Sequence, residues 1–145
     1  MLKVGDSAPG FELINQNASE ETVVVFMGKV ARPNSNGKSK SLVTMITENT
    51  VKDTKICLVW DNNEEDVQAF KATVPGLIGL NNVCDVYDTD QAIQTAWEVM
   101  LLNSENGEES VGGFVDALVK DGKIIWIQEN KKFYELSLLL RGWRP

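Results

Sequence analysis

Two short runs of consecutive apolar residues, each followed by a helix-like pattern, constrain this chain most. Thr22 to Met27 reads TVVVFM, and Lys55 to Trp60 reads KICLVW. Continuous runs rich in β-branched residues are typical of strands that are buried on both faces of a sheet. Such strands need helices above and below them, so the runs predict an α/β protein with a central sheet.

Helical patterns follow both runs. After the first run, a mostly apolar stripe at helical spacing is formed by Leu42, Val43, Met45, Ile46 and Asn49. After the second run, Asn62 with Glu65 three residues later predicts a helix start. This helix is expected to carry Val67, Ala69 and Phe70 and to end before Pro75. The first half of the chain therefore predicts two successive strand-helix units.

A third unit follows, because Val83 to Tyr87 alternates between apolar and polar residues as a strand does. Asp88 with Gln91 predicts the capped start of another helix. One face of that helix is expected to carry Ala92, Ile93, Ala96, Trp97, Met100 and Leu101.

The last part of the chain predicts a hairpin and a terminal helix. Phe114 to Gln128 contains two alternating runs around Asp121-Gly122, a strong hairpin signal. A final helix is expected from about Lys132 to Arg141. The element order predicts a thioredoxin-like fold: a mixed central sheet with helices on both faces and a late β-hairpin. No linker divides the 145 residues, so residues 1–145 are expected to form a single domain.

Composition excludes several classes of function. The net charge of -7 disfavours nucleic acid and anionic membranes as partners. The chain has no histidine and two cysteines, so it can build neither a Ser-His-Asp triad nor a zinc site of four Cys and His ligands. The acidic run from Asp61 to Asp66 lacks the spacing of an EF-hand loop and is interpreted as a solvated helix start. We therefore expect no metal and no cofactor.

The N-terminus resembles that of the peroxiredoxins, the family of alkyl hydroperoxide reductase and thiol-specific antioxidant proteins. The residues concerned are Lys3 to Leu13, KVGDSAPGFEL. Further similarity lies in KICLVWDNNEEDVQAFKA from Lys55 to Ala72, and in the hairpin turn Asp121 to Ile124. The resemblance covers most of the chain. It implies a thioredoxin-like fold, a thiol peroxidase ancestry and a homodimer.

The catalytic motif of that family is the part that does not match. Peroxiredoxins carry Pro-x-x-x-Thr-x-x-Cys in the loop after the first central strand. Alignment by resemblance places Gly28, Arg32 and Ser35 at the Pro, Thr and Cys positions. The family's distant arginine falls within Val111 to Phe114, which contains none. A serine hydroxyl is not measurably ionised near neutral pH, and the chain has no histidine to activate it.

The first functional hypothesis is therefore binding rather than peroxidase chemistry. The candidate anion-binding loop is formed by Arg32, Asn34, Ser35, Asn36, Gly37 and Lys38. Because this loop precedes a helix, free backbone N–H groups and nearby cations could hold a small anion, or the loop could bind a partner protein. The simpler alternative is that Asn34 or Ser35 only caps the helix and the cations are solvated.

The second hypothesis is a thiol-dependent antioxidant oxidoreductase, a peroxidase that uses Cys84 or Cys57. Cys57 lies within an apolar run, so it is expected in the core. Cys84 is expected to be more exposed, with Asp85 and Asp88 raising the pKa of its thiol. A disulfide between the two cysteines would require a strand register that the sequence does not determine.

Location and assembly are inferred from the apolar pattern of the chain and from its two ends. No apolar run reaches the roughly 18 residues of a membrane helix, and the chain begins without a basic stretch followed by an apolar run. We therefore expect a cytoplasmic protein with reduced thiols. Trp143 stands beside Arg141 and Arg144, a combination favoured at subunit interfaces, which is where a homodimer contact is expected.

Overall fold

The computed structural model describes residues 2–10, 21–28, 37–49, 54–99, 115–129 and 134–145. The strands are β1 (Thr22–Gly28), β2 (Lys55–Trp60), β3 (Val83–Tyr87), β4 (Val115–Lys120) and β5 (Lys123–Glu129). The helices are α1 (Gly37–Asn49), α2 (Glu64–Lys71), α3 (Pro75–Ile78), α4 (Ala92–Ala96) and α5 (Tyr134–Leu140). The bounds predicted for β2 and β3 are confirmed. β1 begins at Thr22 as predicted and ends one residue later, at Gly28. β4 begins one residue later than predicted, and β5 ends one residue later.

The five described strands form one mixed sheet in the order β3-β2-β1-β4-β5. β1 and β2 are parallel, as are β2 and β3, whereas β4 runs antiparallel to both β1 and β5. The predicted α/β thioredoxin-like fold is confirmed, including the late hairpin. Parallel β1, β2 and β3 are joined through helices because parallel neighbours need a crossover connection.

Side chains alternate between the two faces of this sheet. On one face, Val23 and Val25 of β1 pack in a cluster that includes Val43 of α1, Phe70 of α2 and Leu139 of α5. All of these side chains are completely buried. Burial of one such side chain stabilises the fold by about 1.5–3 kcal/mol.

The second face carries a separate cluster. Val24 and Phe26 of β1 pack there with Ile93 of α4 and with Trp97. The rings of Phe26 and Trp97 have centroids 5.1 Å apart. Helices therefore cover both faces, which is why the TVVVFM run contains no polar residue between Val23 and Met27.

The hairpin turn has the backbone that its residues predict. Asp121 has φ 54° and Gly122 has φ 76°. Two consecutive positive φ angles define the type I′ turn, which Asp-Gly adopts at low cost. β4 and β5 pair from Lys120↔Lys123 outwards.

The N-terminal segment lies against this hairpin. The Gly5 amide donates to the Ile124 carbonyl at 2.8 Å, and the Ile124 amide donates to the Asp6 carbonyl at 2.9 Å. The Ala8 amide donates to the Gly122 carbonyl at 2.8 Å. The residues that carry the family resemblance at the two ends of the sequence are therefore in contact.

Two predictions about α2 need correction. The N-cap is Asn63, whose side chain accepts from the Asp66 amide, and not Asn62. Ala69 is exposed, while Val67 and Phe70 are buried as predicted. The chain also forms the short helix α3 at Pro75, because proline is well suited to the first turn of a helix.

The helix predicted after β3 is shorter than its pattern implied. The Asp88 carboxylate accepts from the amides of Ile93 and Gln94, at 3.1 and 2.8 Å, so its capping role is confirmed. Gln91 makes no side-chain cap and donates instead to the Asp61 carboxylate. The helix ends at Ala96, and Met100 and Leu101 lie outside the described residues.

Candidate functional site: a thiol pair at the sheet edge

Gly28, which the resemblance aligned with the proline of the peroxiredoxin motif, is the last residue of β1. Its φ is 69°, and its carbonyl accepts from the Asp61 amide at 3.1 Å. Proline cannot adopt this conformation because its ring fixes φ near about −65°. The local backbone therefore favours glycine at this position and excludes proline.

The candidate anion-binding loop is described only at its end. Arg32, Asn34, Ser35 and Asn36 lie outside the described residues, whereas Gly37 and Lys38 are the first two residues of α1. The first turn of α1 contains no acidic residue. A 13-residue helix thus begins where the sequence predicted one, and the role of the loop stays a prediction.

Cys57 lies in β2 and is completely buried, so its prediction as a core residue is confirmed. It packs in the same cluster as Val24 and Val59, on the sheet face that α4 covers. Cys57 is the Cα partner of Cys84 in the parallel β2–β3 ladder. Partners in a ladder point to the same face, so both thiols lie on one side of the sheet.

Cys84 lies in β3, an outer strand of the sheet, and is exposed. The two cysteines approach to 3.6 Å, and neither is in a disulfide. A side-chain hydrogen bond joins their thiols. The structure therefore brings together the two residues that the second hypothesis considered separately.

The hydrogen bond makes the two thiols chemically unequal. Donation of the Cys57 S–H to Cys84 and burial raise the pKa of Cys57 well above its usual value. The same hydrogen bond lowers the pKa of Cys84, with a smaller contribution from Lys55, although partial desolvation and Asp85 act in the opposite direction. Asp85 does raise the pKa of Cys84, as expected, but the hydrogen bond from Cys57 outweighs it and Asp88 makes no contribution, so the expected net direction is wrong.

Asp85 has its partners on the opposite face of the sheet. Its carboxylate accepts from Trp60 Nε1 at 2.9 Å and from Lys71 Nζ at 2.6 Å. Both the Lys71 and Asp85 side chains are largely buried. The ion pair anchors β3 to α2, and the Trp60 hydrogen bond anchors it to β2, next to the thiols.

The thiol pair is well separated from the carboxyl end of β1. Cys57 is level with Val24, four residues before Gly28. At about 3.3 Å per residue, this corresponds to about 13 Å along the strands. The pair therefore lies well before the carboxyl end of β1.

The four tryptophans differ in exposure. Trp60 and Trp97 are buried and Trp126 is half-buried, whereas Trp143 is 44% exposed. Across the described ranges, no group of three or more Cys, Asp and Glu side chains could hold a metal ion. Within the same ranges, no helix is long and apolar enough to cross a membrane.

The sequence contained a signal for the thiol pair. Cys57 is the third residue of β2 and Cys84 is the second residue of β3, so both lie near the amino ends of neighbouring parallel strands. The missing information was the register, which pairs Ile56 with Val83. That register is set by packing of the two sheet faces rather than by the cysteines.

Comparison with solved structures identifies the fold as peroxiredoxin-like. Mycobacterium tuberculosis AhpC superposes with a TM-score of 0.66 and 14% sequence identity over 97% of this chain and 92% of that chain. A yeast mitochondrial 1-Cys peroxiredoxin gives a TM-score of 0.67 and 10% identity over 97% of this chain and 75% of that chain. Peroxiredoxin 5 from Alvinella pompejana gives 0.58 and 16%, with 97% of each chain covered.

Sequence comparison gives no corresponding match. No model of a protein family matches this chain, and no curated protein matches it. At sequence identities of 10–16%, the structural similarity defines the fold and not the activity, which depends on the residues of this chain.

Proposed function

We propose that this chain is a peroxiredoxin-like protein that lacks the peroxidatic cysteine and binds a ligand where that cysteine would lie. The observation that carries the proposal is the placement of its only two cysteines, in β2 and β3 rather than in the segment between β1 and α1. A peroxidatic thiol needs a helix N-terminus and a nearby cation to remain ionised. Cys57 is buried in the sheet, and Cys84 is on a strand, so neither has that environment.

The proposed ligand is a small anion held at residues 32–38, or a partner protein recognised by the same loop. Arg32 and Lys38 bring positive charge to an acidic chain. α1 begins at Gly37, and its first turn carries no carboxylate to compete with a bound anion. Backbone N–H groups at such a helix start favour phosphate, sulfate or carboxylate.

Titration with inorganic phosphate, followed by the amide NMR shifts of residues 32–38, tests anion binding. We expect saturable shifts in this segment, and an Arg32→Gln/Lys38→Gln variant should bind about tenfold more weakly. The matched control is Lys120→Gln/Lys123→Gln, which removes two cations from the hairpin. Equal weakening in the control, or shifts spread over all cationic surfaces, would contradict the proposal.

A second candidate function is a thiol-dependent peroxidase that uses Cys84 or Cys57. The observation that favours it is the 3.6 Å approach of the two cysteines. Catalysis of peroxide reduction also needs hydrogen-bond donors that stabilise the departing oxygen. The groups whose charges act on the Cys84 thiol are Cys57, Asp85 and Lys55. Hydrogen peroxide consumption by the reduced protein distinguishes the two candidates.

A further inference from the structure

The cysteine pair has the arrangement of a centre that exchanges with disulfides. Cys57 and Cys84 are register partners in adjacent parallel strands and face the same side of the sheet. One thiol is buried and the other is exposed. An external disulfide can therefore reach Cys84, while Cys57 is reached only through Cys84.

The strand geometry permits a covalent bond between the two cysteines. Neighbouring strands are about 4.7–4.9 Å apart, and disulfides join Cα atoms that are about 4.4–6.8 Å apart. The two cysteines approach to 3.6 Å, and a disulfide requires a sulfur–sulfur distance of about 2.05 Å. β3 has one neighbour among the described strands, so it can move towards β2 without breaking a second ladder.

We propose that Cys84 and Cys57 form a dithiol–disulfide redox centre that reduces low-molecular-weight disulfides, with Cys84 as the attacking thiol and Cys57 as the resolving thiol. This centre is independent of the proposed binding function at residues 32–38. It is also distinct from peroxidase chemistry, because the bond that breaks is S–S rather than O–O. No positioned donor is needed to stabilise an oxygen leaving group.

The reaction has two balanced steps. First, the Cys84 thiolate attacks one sulfur of a disulfide R–S–S–R, the S–S bond breaks, and R–S⁻ leaves and takes up the proton that Cys84 had released. Second, Cys57 loses its proton and its sulfur attacks the Cys84 sulfur, which releases the second R–S⁻ as R–SH. The two protein thiols are oxidised by two electrons, and the disulfide is reduced to two thiols.

The division of roles follows from the environment of each sulfur. The pKa of Cys84 is lowered by the hydrogen bond from Cys57, and a larger thiolate fraction increases the rate of attack. The pKa of Cys57 is raised while Cys84 is charged. Once Cys84 carries the R–S group, that negative charge is gone, so deprotonation of Cys57 becomes easier at the step that requires it.

The test uses reduced full-length protein and glutathione disulfide as the probe, with intact mass and peptide mapping over time. Wild-type protein should lose the mass of two hydrogens and yield a linked peptide containing Cys57 and Cys84. Cys57→Ser should accumulate one glutathionyl group on Cys84. Cys84→Ser should react about tenfold more slowly or not at all, because its remaining thiol is buried.

Three results would overturn the proposal: a wild-type adduct that is never resolved, equal rates for the two single variants, or no reaction of the wild type. The wild-type peptide map decides the question even if a variant fails to fold. Phosphate binding at residues 32–38 should be the same in reduced and oxidised protein. If disulfide reduction fails, phosphate binding at residues 32–38 can therefore still be tested, and the reverse is also true.

Discussion

At the residue scale, one S–H group determines the chemistry of the thiol pair. Cys57 has no access to solvent, and its hydrogen bond goes to a thiol on the neighbouring strand. A hydrogen bond to the charged form of a group stabilises that form. Cys84 is accordingly the more acidic thiol although Asp85 follows it directly in the sequence.

This account predicts the pH dependence of Cys84 alkylation by iodoacetamide. The thiolate is the reactive form, so the rate rises with pH, and a lowered pKa places the midpoint below that of an ordinary cysteine. Cys57→Ala removes the donor and should move the midpoint to higher pH. Cys57→Ser keeps an O–H donor and should leave the midpoint close to that of wild type.

The charged groups that act on Cys84 besides Cys57 are Asp85 on β3 and Lys55 on β2. Neither residue is altered in Cys57→Ala or Cys57→Ser, so a difference between their midpoints reports the hydrogen-bond donor at position 57. An unchanged midpoint in Cys57→Ala would show that the hydrogen bond from Cys57 does not lower the pKa of the Cys84 thiol.

At the element scale, α4 is a five-residue helix that depends on one buried carboxylate. Asp88 is 3% exposed and accepts two amide hydrogen bonds at the helix start. Asp90 accepts a single amide bond, from Ala92, at an exposed position. α4 places Ile93 in the cluster that also contains Cys57.

Asp88→Ala should lower the free energy of unfolding by about 2–3 kcal/mol, because two buried amides lose their acceptor. Asp90→Ala is the matched control and should cost about 0.5–1 kcal/mol. Urea unfolding monitored by circular dichroism measures both. Equal losses for the two variants would show that Asp88 contributes no more than an exposed cap.

The same elements show how far the sequence predicts this fold. Apolar runs and the Asp-Gly turn predicted the strands closely, since strand burial and turn chemistry are local properties. The apolar stripe after β3 predicted a helix through Leu101, but Glu98 adopts φ 62° and the helix ends at Ala96. That end is a Schellman motif: the Glu98 amide donates to the Thr95 carbonyl at 3.0 Å, and the Val99 amide donates to the Gln94 carbonyl at 2.9 Å. Glycine usually marks the left-handed position of this motif, and here Glu98 occupies it, so the sequence carries no such mark.

The site was less predictable than the fold. The sequence identified both cysteines and the burial of Cys57, but the direction of the Cys84 pKa shift depends on a contact across strands. Residues 27 positions apart come together only when the β2–β3 register is known. The sequence likewise does not predict the positive φ of Gly28, because that angle depends on how strand β1 ends in the folded protein.

At the scale of the whole molecule, the N-terminal segment is attached to the hairpin through residues of the family-like opening. Gly5 has φ 98°, and a Cβ there would meet nothing within 4 Å. The conformation, rather than space, is therefore what requires glycine. The Gly5 amide bond to Ile124 depends on it.

Gly5→Ala should lower the free energy of unfolding by about 1–2 kcal/mol through backbone strain alone. Gly79→Ala is the matched control, because Gly79 has φ -79° and its nearest atom would be 3.9 Å away. That variant should be neutral or slightly stabilising, by up to about 1 kcal/mol. Thermal unfolding of both proteins is the measurement, and a neutral Gly5→Ala would contradict the strain argument.

Assembly is the second property of the whole molecule, and the homodimer stays a prediction. Trp143 is 44% exposed beside Arg144, which pairs with Glu21. If Trp143 anchors the interface, light scattering should give a dimer mass for wild type and a monomer mass for Trp143→Ala. Ile78→Ala, which alters another exposed apolar side chain, should remain dimeric. A monomeric wild type, or the same effect in Ile78→Ala, would contradict this assignment.

The most direct measurement is hydrogen peroxide consumption by the reduced protein, without and with dithiothreitol. The controls are a Cys57→Ser/Cys84→Ser variant, a protein-free blank and an equal concentration of the amino acid cysteine. We predict no catalytic turnover: wild type should consume peroxide no faster than the variant plus the slow reaction of an ordinary thiol. Fast, dithiothreitol-dependent turnover that is lost in the double variant would show that a cysteine of β2 or β3 has taken over the peroxidase role.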